Sequence, residues 1–254
     1  MTFEDDLTRD EFLGGRLLLR QPRTGHRAGH DAILLAAATP ARAGDHVVEF
    51  GAGIGTAALA LAARVPGIAL TLIEIDTALA ALARRTAQDN GLKARVEVAD
   101  IGAAAAVFSE LGLGADRADV IMMNPPYNQA GRLQPSPDPA RRLAHEAEAG
   151  TLETWVHAAR RMLRPGGTLS LIWRAEGLDE VLQHLARGFG GVMILPVYPQ
   201  PGRPAIRVLV RAVKGGRAPL TVCPGLCLRN ADSAPSVEAE AILRGGAALS
   251  TMAG

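Results

Sequence analysis

Four consecutive residues, Asn124-Pro125-Pro126-Tyr127, combine an amide, a stiff backbone with free carbonyls and an aromatic ring. They follow an apolar run at residues 120–123, which predicts a buried strand that ends in a loop. The set suits a planar group that carries an NH2. The amide oxygen and a proline carbonyl can accept hydrogen bonds from the two N–H groups, while the tyrosine ring stacks on the face of the planar group. Two fixed acceptors would draw a conjugated, poorly nucleophilic nitrogen towards a reactive tetrahedral shape. The plain alternative is a proline turn that ends a strand beside a surface tyrosine.

A glycine-rich turn and two later acids form a second group, which is typical of a nucleoside site. Glu49-Phe50-Gly51-Ala52-Gly53-Ile54-Gly55 joins a predicted strand to a predicted helix, and its alternate glycines permit a tight turn and the close approach of a ligand. Glu74 ends the next predicted strand about twenty residues later, where an acid can accept both hydroxyls of a ribose. Asp100 follows the third strand, where it could accept an adenine amino group or, equally well, cap a helix that starts near Gly102.

The glycine spacing fits two cofactor classes, a dinucleotide and S-adenosylmethionine. The dinucleotide fingerprint has two residues before its third glycine, whereas this chain has Gly-x-Gly-x-Gly, which is not that pattern. Six residues of these motifs follow the carboxyl ends of four successive predicted strands: Gly51, Gly53, Gly55, Glu74, Asp100 and Asn124. Open α/β sheets bind ligands at that edge. We therefore predict a nucleoside cofactor.

The elements that must position these residues alternate along the chain from about residue 45 to about residue 198. Strands are predicted at 46–50, 69–74, 95–99, 118–123, 168–173, 192–198 and 206–213, and helices at 56–64, 77–90, 103–111, 152–163, 177–188 and 236–244. This β-α rhythm predicts a mostly parallel sheet with helices on both faces. The strands at 192–198 and 206–213 are expected to form a closing antiparallel pair at one edge, and residues 220–229 to add further strand.

The sequence predicts an N-terminal extension at residues 1–44 that packs on a single domain at residues 45–254. The extension contains a hairpin turn at residues 13–16 and a short helix at residues 31–38. Residues 128–150 hold three prolines and predict a long irregular segment, which is typical of a lid or of a disordered loop.

Composition bounds the class of protein. The chain has 254 residues, of which 48% are hydrophobic, and this suits one large α/β domain but not two. The net charge of +1 indicates no global field for a nucleic-acid partner. Basic residues do cluster in two stretches, and a solvated face is the usual role of such clusters: Arg9, Arg16, Arg20, Arg23 and Arg27, then Arg203, Arg207, Arg211, Lys214 and Arg217.

The two cysteines and the apolar runs point to a cytoplasmic protein without a metal site. Cys223 and Cys227 lack a second pair or a histidine cluster, so we expect buried reduced thiols rather than half of a metal site. The N-terminus has no signal-peptide core. No apolar run reaches membrane-spanning length.

With these motifs the chain resembles the class I S-adenosylmethionine-dependent methyltransferases that methylate amino groups. Within them it is most similar to the bacterial tRNA1(Val) adenine-37 N6-methyltransferase family. The likeness covers nearly the whole chain and includes residues 21–37, 164–171, 214–216 and 237–244. It implies a Rossmann-like, seven-stranded, mostly parallel sheet with helices on both faces.

The resemblance also implies roles for particular residues. Asn124, Pro125, Pro126 and Tyr127 would hold the target amine, an adenine N6 in tRNA, with no metal involved. Segment 29–31 would lie near the methionine end of the cofactor, although His30 stands where the family usually has threonine. The implied cofactor-binding residues are Arg27, Asp31, Glu49, Gly51, Ala52, Gly53, Gly55, Glu74, Ile75, Asp100, Ile101 and Asn124.

Three other features and the partner complete the expectations. We expect His145 and Glu146 to be solvated loop residues rather than a cover over the substrate. Trp155 and Trp173 lie in a predicted helix and a predicted strand, so core packing is expected of both. The implied partner is tRNA, and the protein is expected to be a monomer or a homodimer.

Other acceptors share the amine-binding motif. A glutamine side chain in a release factor, an rRNA guanine and a DNA adenine are alternatives, although a DNA enzyme usually carries an extra target-recognition domain. A module that senses S-adenosylmethionine or binds RNA without turnover is the non-enzymatic alternative, and the intact Asn124 and Tyr127 disfavour it.

Overall fold

The computed structural model describes residues 7–23, 29–126 and 139–252, with side chains left out at 139–149. Tyr127 and Arg27 lie outside these ranges, as do residues 128–138 and the side chains of His145 and Glu146. The strands are β1 Leu7–Phe12, β2 Leu17–Pro22, β3 His46–Phe50, β4 Ala69–Glu74, β5 Arg95–Val98, β6 Ala118–Met123, β7 Leu163–Arg174, β8 Phe189–Tyr198, β9 Arg207–Lys214, β10 Thr221–Val222 and β11 Leu226–Cys227. The helices are α1 His30–Ala38, α2 Thr56–Arg64, α3 Thr77–Asp89, α4 Ala105–Glu110, α5 Pro139–Met162, α6 Leu178–Leu185 and α7 Val237–Leu243.

The central sheet has the order β10-β8-β9-β7-β6-β3-β4-β5, and the short β11 also pairs with β8. Strands β5, β4, β3, β6 and β7 are parallel to one another, whereas β9 runs antiparallel between β7 and β8. The predicted α/β class and the mostly parallel sheet are confirmed. Two strands of two residues each extend the seven that were expected.

Helices cover both faces of this sheet. On β6, Val120 and Met122 belong to one apolar cluster, with residues of α1, α2, α3 and α7. Ile121 and Met123 belong to the other, with residues of α4, α5 and α6. All four side chains are buried, which is why this strand reads as a continuous apolar run rather than an alternating one.

The register of the parallel strands brings the motif residues to one edge. Phe50 at the end of β3 pairs with Ile73 of β4 and with Met123 of β6. Glu74, which ends β4, pairs with Val98 of β5. The segments that follow these strands therefore leave the sheet at the same level, and they carry the glycine loop, Ile75, Asp100 and Asn124.

Helix α5 begins earlier than predicted. It starts at Pro139 rather than at residue 152, so the expectation of an irregular segment was wrong for residues 139–150. A proline fits the first helical position because it lacks an N–H group, and an N–H group at that position would have no partner within the helix. The alanine, arginine, leucine and glutamate residues that follow it all have high helix propensity.

One expectation about strands is confirmed and one needs correction. The antiparallel pair of β8 and β9 forms towards one edge of the sheet as predicted, with β9 also paired to β7. The strand expected within residues 220–229 is reduced to the short β10 and β11. Pro224 and Gly225 separate them, and neither residue favours a continuous strand.

The hairpin of β1 and β2 forms its own small sheet and is held to the core by the end of α3. Its turn contains three residues of positive φ, Leu13, Gly14 and Gly15. Asn90 accepts a hydrogen bond from Leu18 N (2.8 Å) and donates to the carbonyl oxygens of Leu18 (2.8 Å) and Thr86 (2.7 Å). The hairpin and helix of the expected extension are present, and the division of the chain into two domains stays a prediction.

We predict that Asn90→Ala lowers the free energy of unfolding by about 2 kcal/mol, because it leaves the N–H and carbonyl groups of Leu18 without their side-chain partners. Urea unfolding followed by circular dichroism measures this loss. Gln88→Ala, at an exposed position of the same helix, is the matched control and should be close to neutral. Equal losses in the two variants would contradict the role of Asn90.

Candidate active site

The glycine loop after β3 is open on one side. Gly51, Gly53 and Gly55 all have positive φ, and Gly55 is the N-cap of α2 in the left-handed region. A Cβ atom added at Gly53 would meet nothing within 4 Å. The backbone there borders free space at the edge of the sheet, as a loop that lies against a ligand requires.

Glu74 joins the end of β4 to that loop. Its Oε2 atom accepts a hydrogen bond from Gly53 N (2.6 Å), and its Oε1 atom accepts one from Asp76 N (2.9 Å). The residue is 6% exposed. A carboxylate has about four acceptor positions, so the remaining ones are available for hydroxyl groups of a ligand.

Glu49 is a buried acid beneath the same loop. Its Oε2 atom accepts a hydrogen bond from Ala58 N (3.0 Å), in the first turn of α2. Burial raises the pKa of Glu49 to about 8, against the lowering effect of that hydrogen bond, and the charge of Glu74 raises it further. Glu49 is therefore largely protonated at neutral pH.

The segment after β5 carries Asp100 and Ile101, whose predicted role is to hold the base of the cofactor. Asp100 is exposed, and its Oδ1 atom accepts a hydrogen bond from Gly102 N (2.8 Å). Asp100 is not the N-cap of α4, because that helix begins at Ala105 with Ala104 as its cap. Ile101 is buried, whereas Ile75 is 64% exposed beside Glu74. An exposed apolar side chain at this edge offers a surface that a base can cover.

Asn124 carries the clearest chemical feature of the edge. Its Oδ1 atom is buried and has no hydrogen-bond partner among the residues that the structure describes. Pro125 is buried and Pro126 is exposed. A buried acceptor without a partner costs free energy. Six buried side-chain polar atoms of the described residues lack a hydrogen-bond partner, and of these Asn124 Oδ1 is the one that directly follows β6 at the ligand-binding edge of the sheet. The residues present therefore fit a ligand whose N–H group donates a hydrogen bond to Asn124 Oδ1.

Asp31, at the start of α1, contacts β9. Its Oδ2 atom accepts a hydrogen bond from Arg207 Nε (2.9 Å), which links the helix to the antiparallel strand of the sheet. A role for Asp31 in holding a cofactor stays a prediction, as it does for Arg27.

Several members of the two basic clusters, among the residues that the structure describes, are engaged in ion pairs or hydrogen bonds within the protein. Arg20 pairs with Asp89, and Arg16 donates to backbone carbonyls. Arg207 and Lys214 lie at opposite ends of β9, and Lys214 pairs with Asp116 (2.7 Å). Residues close in sequence are thus separated, because a strand spreads them along its length.

The two cysteines differ in burial. Cys223 is buried as expected, whereas Cys227 is only partly buried, and both are free thiols. No cluster of metal-binding side chains occurs within residues 7–23, 29–126 and 150–252. No helix in the described part of the chain is long and apolar enough to cross a membrane.

Trp173 is a core residue as predicted. Core packing was also predicted for Trp155, but this residue contacts the glycine loop as well as the core. Trp173 is 3% exposed. Trp155 is only partly buried and lies against the glycine loop, with its ring edge-on to Phe50 at 6.2 Å between centroids. The spacing of Trp155 from the buried residues of α5 indicates that its side chain faces the sheet. No local sequence pattern indicates that it contacts the glycine loop.

Comparisons with known proteins agree with this geometry. A family model described as the methyltransferase small domain matches residues 30–195. The tRNA1(Val) (adenine(37)-N6)-methyltransferase of Aeromonas hydrophila is 33% identical over 76% of this chain and 79% of that protein. The release factor glutamine methyltransferase of Chlorobaculum tepidum is 29% identical over 74% of this chain and 65% of that protein. The crystal structure of a predicted O-methyltransferase from Agrobacterium tumefaciens superposes with a TM-score of 0.73 at 32% identity, over 86% of this chain and 97% of that one.

The buried acid Glu49 generates a pH prediction. Its pKa is about 8 when folded against an ordinary value of 4.5, so the folded state holds an extra proton between these values. Stability is therefore lost as pH rises through this window, by up to about 1.4 kcal/mol per pH unit. Glu49→Gln keeps an uncharged side chain and should lack this loss.

Urea unfolding of both proteins from about pH 5 to about pH 8 measures the difference. The stability of Glu49→Gln relative to the unaltered protein should increase across the window. Parallel curves for the two proteins would show that Glu49 does not carry the extra proton.

Proposed function

The chain belongs to the methyltransferase small domain family, and we propose that its acceptor is the exocyclic N6 amine of an adenine in tRNA. Adenine 37 of the anticodon loop is the proposed position, and S-adenosylmethionine is the methyl donor. The proposal rests first on Asn124, whose buried Oδ1 atom has no partner among the described residues. An amide oxygen held in this way favours a ligand with an N–H bond over one with only acceptors.

The relatives support a planar, conjugated amine. The enzymes of A. hydrophila and C. tepidum are named for an adenine N6 atom and for glutamine, and both acceptors are NH2 groups whose lone pair is delocalised. The tRNA methyltransferase of A. hydrophila is the more similar of these two over a larger share of its own length. An adenine also offers an aromatic face for Tyr127 to stack on.

Different residues of this edge have proposed roles in binding the cofactor and in binding the acceptor. The glycine loop, Glu74 and Asp100 would hold S-adenosylmethionine, which when bound supplies a methyl group made electrophilic by its sulfonium. Asn124 Oδ1 and the Pro125 carbonyl oxygen would accept hydrogen bonds from the two N–H groups of the amine. These acceptors orient its lone pair and stabilise the positive charge that develops on nitrogen. Most of the rate then comes from positioning.

An RNA substrate must present its base outside a helical stack. Loop bases can be splayed out at low cost and read by stacking and hydrogen bonds, which suits an anticodon-loop adenine. Exposed arginines such as Arg9 and Arg203 are available for phosphate contacts. Binding that rests on such contacts weakens as the salt concentration rises.

Incubation of the purified protein with labelled S-adenosylmethionine and unmodified total tRNA, followed by nucleoside digestion, tests the proposal. Label in N6-methyladenosine is the expected result. Label that is absent from RNA, while the protein still binds the cofactor, would overturn the RNA acceptor. A release-factor peptide that carries glutamine is the next acceptor to assay, because of the similarity to the enzyme of C. tepidum.

We predict that Asn124→Ala lowers kcat by about 10²- to 10³-fold, the usual effect of removing one preorganised polar contact to developing charge. The melting temperature should not fall, because the substitution removes a buried acceptor that has no protein partner among the described residues. Single-turnover kinetics and thermal unfolding measure the two quantities. An unchanged rate would exclude Asn124 from the reaction.

Tyr127→Ala provides a second and independent check on the acceptor. Loss of base stacking should cost about 1–3 kcal/mol in kcat/KM for tRNA. Affinity for S-adenosylmethionine should be retained, because the proposed role of the ring concerns the base alone. A variant with an unchanged kcat/KM would remove the stacking role.

A further inference from the structure

The indole of Trp155 lies directly on the glycine loop. A Cβ atom added at Gly51 would overlap Cη2 of Trp155 and would lie 3.1 Å from Cζ3 and 3.3 Å from Cζ2. The benzene edge of the indole therefore occupies the space that any side chain at residue 51 would need. Only glycine permits this approach, and Gly51 also has a positive φ of 60°.

The position of Trp155 on α5 explains why its ring reaches this loop. Leu152, Val156 and Ala159 share its side of the helix, at spacings typical of one helical face, and all three are buried. Trp155 is only partly buried, although it packs against the same apolar cluster. The strands have ended at its level, so part of the ring covers the loop rather than the sheet.

The preceding residue of α5 contacts the second loop of the edge. A Cβ atom at Gly102 would lie 3.6 Å from Cγ2 of Thr154 and 3.3 Å from Oδ1 of Asp100. One turn of α5 thus lies against the loop after β3 and close to the loop after β5. These loops carry the residues proposed to hold the cofactor, and Trp155 is only partly buried.

We infer that Trp155 is a cofactor-binding residue, whose indole forms the α5 side of the S-adenosylmethionine pocket and packs against the adenosine half of the cofactor. An indole supplies a large, rigid apolar surface with little conformational entropy to lose, which suits a purine or a ribose. The inference rests on the cofactor part of the proposed function and is independent of the RNA part.

The chain has two tryptophans, which makes the test specific. Trp173 is buried in the core, so Trp173→Phe leaves Trp155 as the sole indole fluorophore, and Trp155→Phe is the matched opposite variant. Titration with S-adenosylmethionine, or with S-adenosylhomocysteine, should change the fluorescence of the unaltered protein and of Trp173→Phe. The change should be lost in Trp155→Phe.

Calorimetry supplies the affinities. Trp155→Ala should weaken S-adenosylmethionine binding by about 10- to 100-fold, the range expected when an aromatic wall is removed from a stacked base. Trp155→Phe should fall between that variant and the unaltered protein, because it keeps an aromatic ring. Trp173→Phe should bind with unchanged affinity.

A quenching measurement needs no substitution and so does not depend on the folding of any variant. Acrylamide quenches exposed indoles, and only Trp155 of the two is accessible in this protein. Saturating S-adenosylmethionine should lower the quenching constant of the unaltered protein. A constant that does not change while calorimetry detects binding would overturn the inference and leave the proposed function standing. A lack of any binding by the unaltered protein would overturn both.

Discussion

The parallel, in-register pairing of β4, β3 and β6 is the constraint on which the site depends. Helices cover both faces of this sheet, so a ligand reaches its backbone at the strand ends. Because parallel strands all point the same way, the segments that follow them meet at one edge. The glycine loop, Glu74 and Asn124 come together for this reason, although they are far apart in the chain.

Two buried acids, Glu74 and Glu49, lie at that edge and differ in their hydrogen bonds and surroundings. Glu74 accepts hydrogen bonds from two backbone N–H groups, one of which belongs to the glycine loop. Glu49 accepts one and is more deeply placed, so burial raises its pKa to about 8. Protonation of Glu49 avoids the cost of a buried charge in a region of low dielectric constant. Glu74 thus fixes the glycine loop through Gly53, whereas Glu49 bonds the first turn of α2.

Helix α5 connects the two halves of the proposed reaction. It follows the proposed amine-binding segment in the chain, its Trp155 lies against the loop after β3, and its Thr154 lies close to the loop after β5. A single element therefore links the proposed acceptor segment, along the chain, to the proposed cofactor loops. This arrangement matches the need of a transfer reaction to hold two reactants in one relative position, since small displacements reduce the rate sharply.

The sequence by itself determined the local features of this protein. The bounds of β3, β4, β6 and α2 agree with prediction residue for residue, because glycine turns and apolar runs define them locally. Tertiary structure alone decided the insertion of β9 between β7 and β8, the Asp31–Arg207 pair and the contact of Trp155 with Gly51. It also decided the raised pKa of Glu49. These features join residues far apart in the chain, and their energies come from burial and packing that no local pattern records.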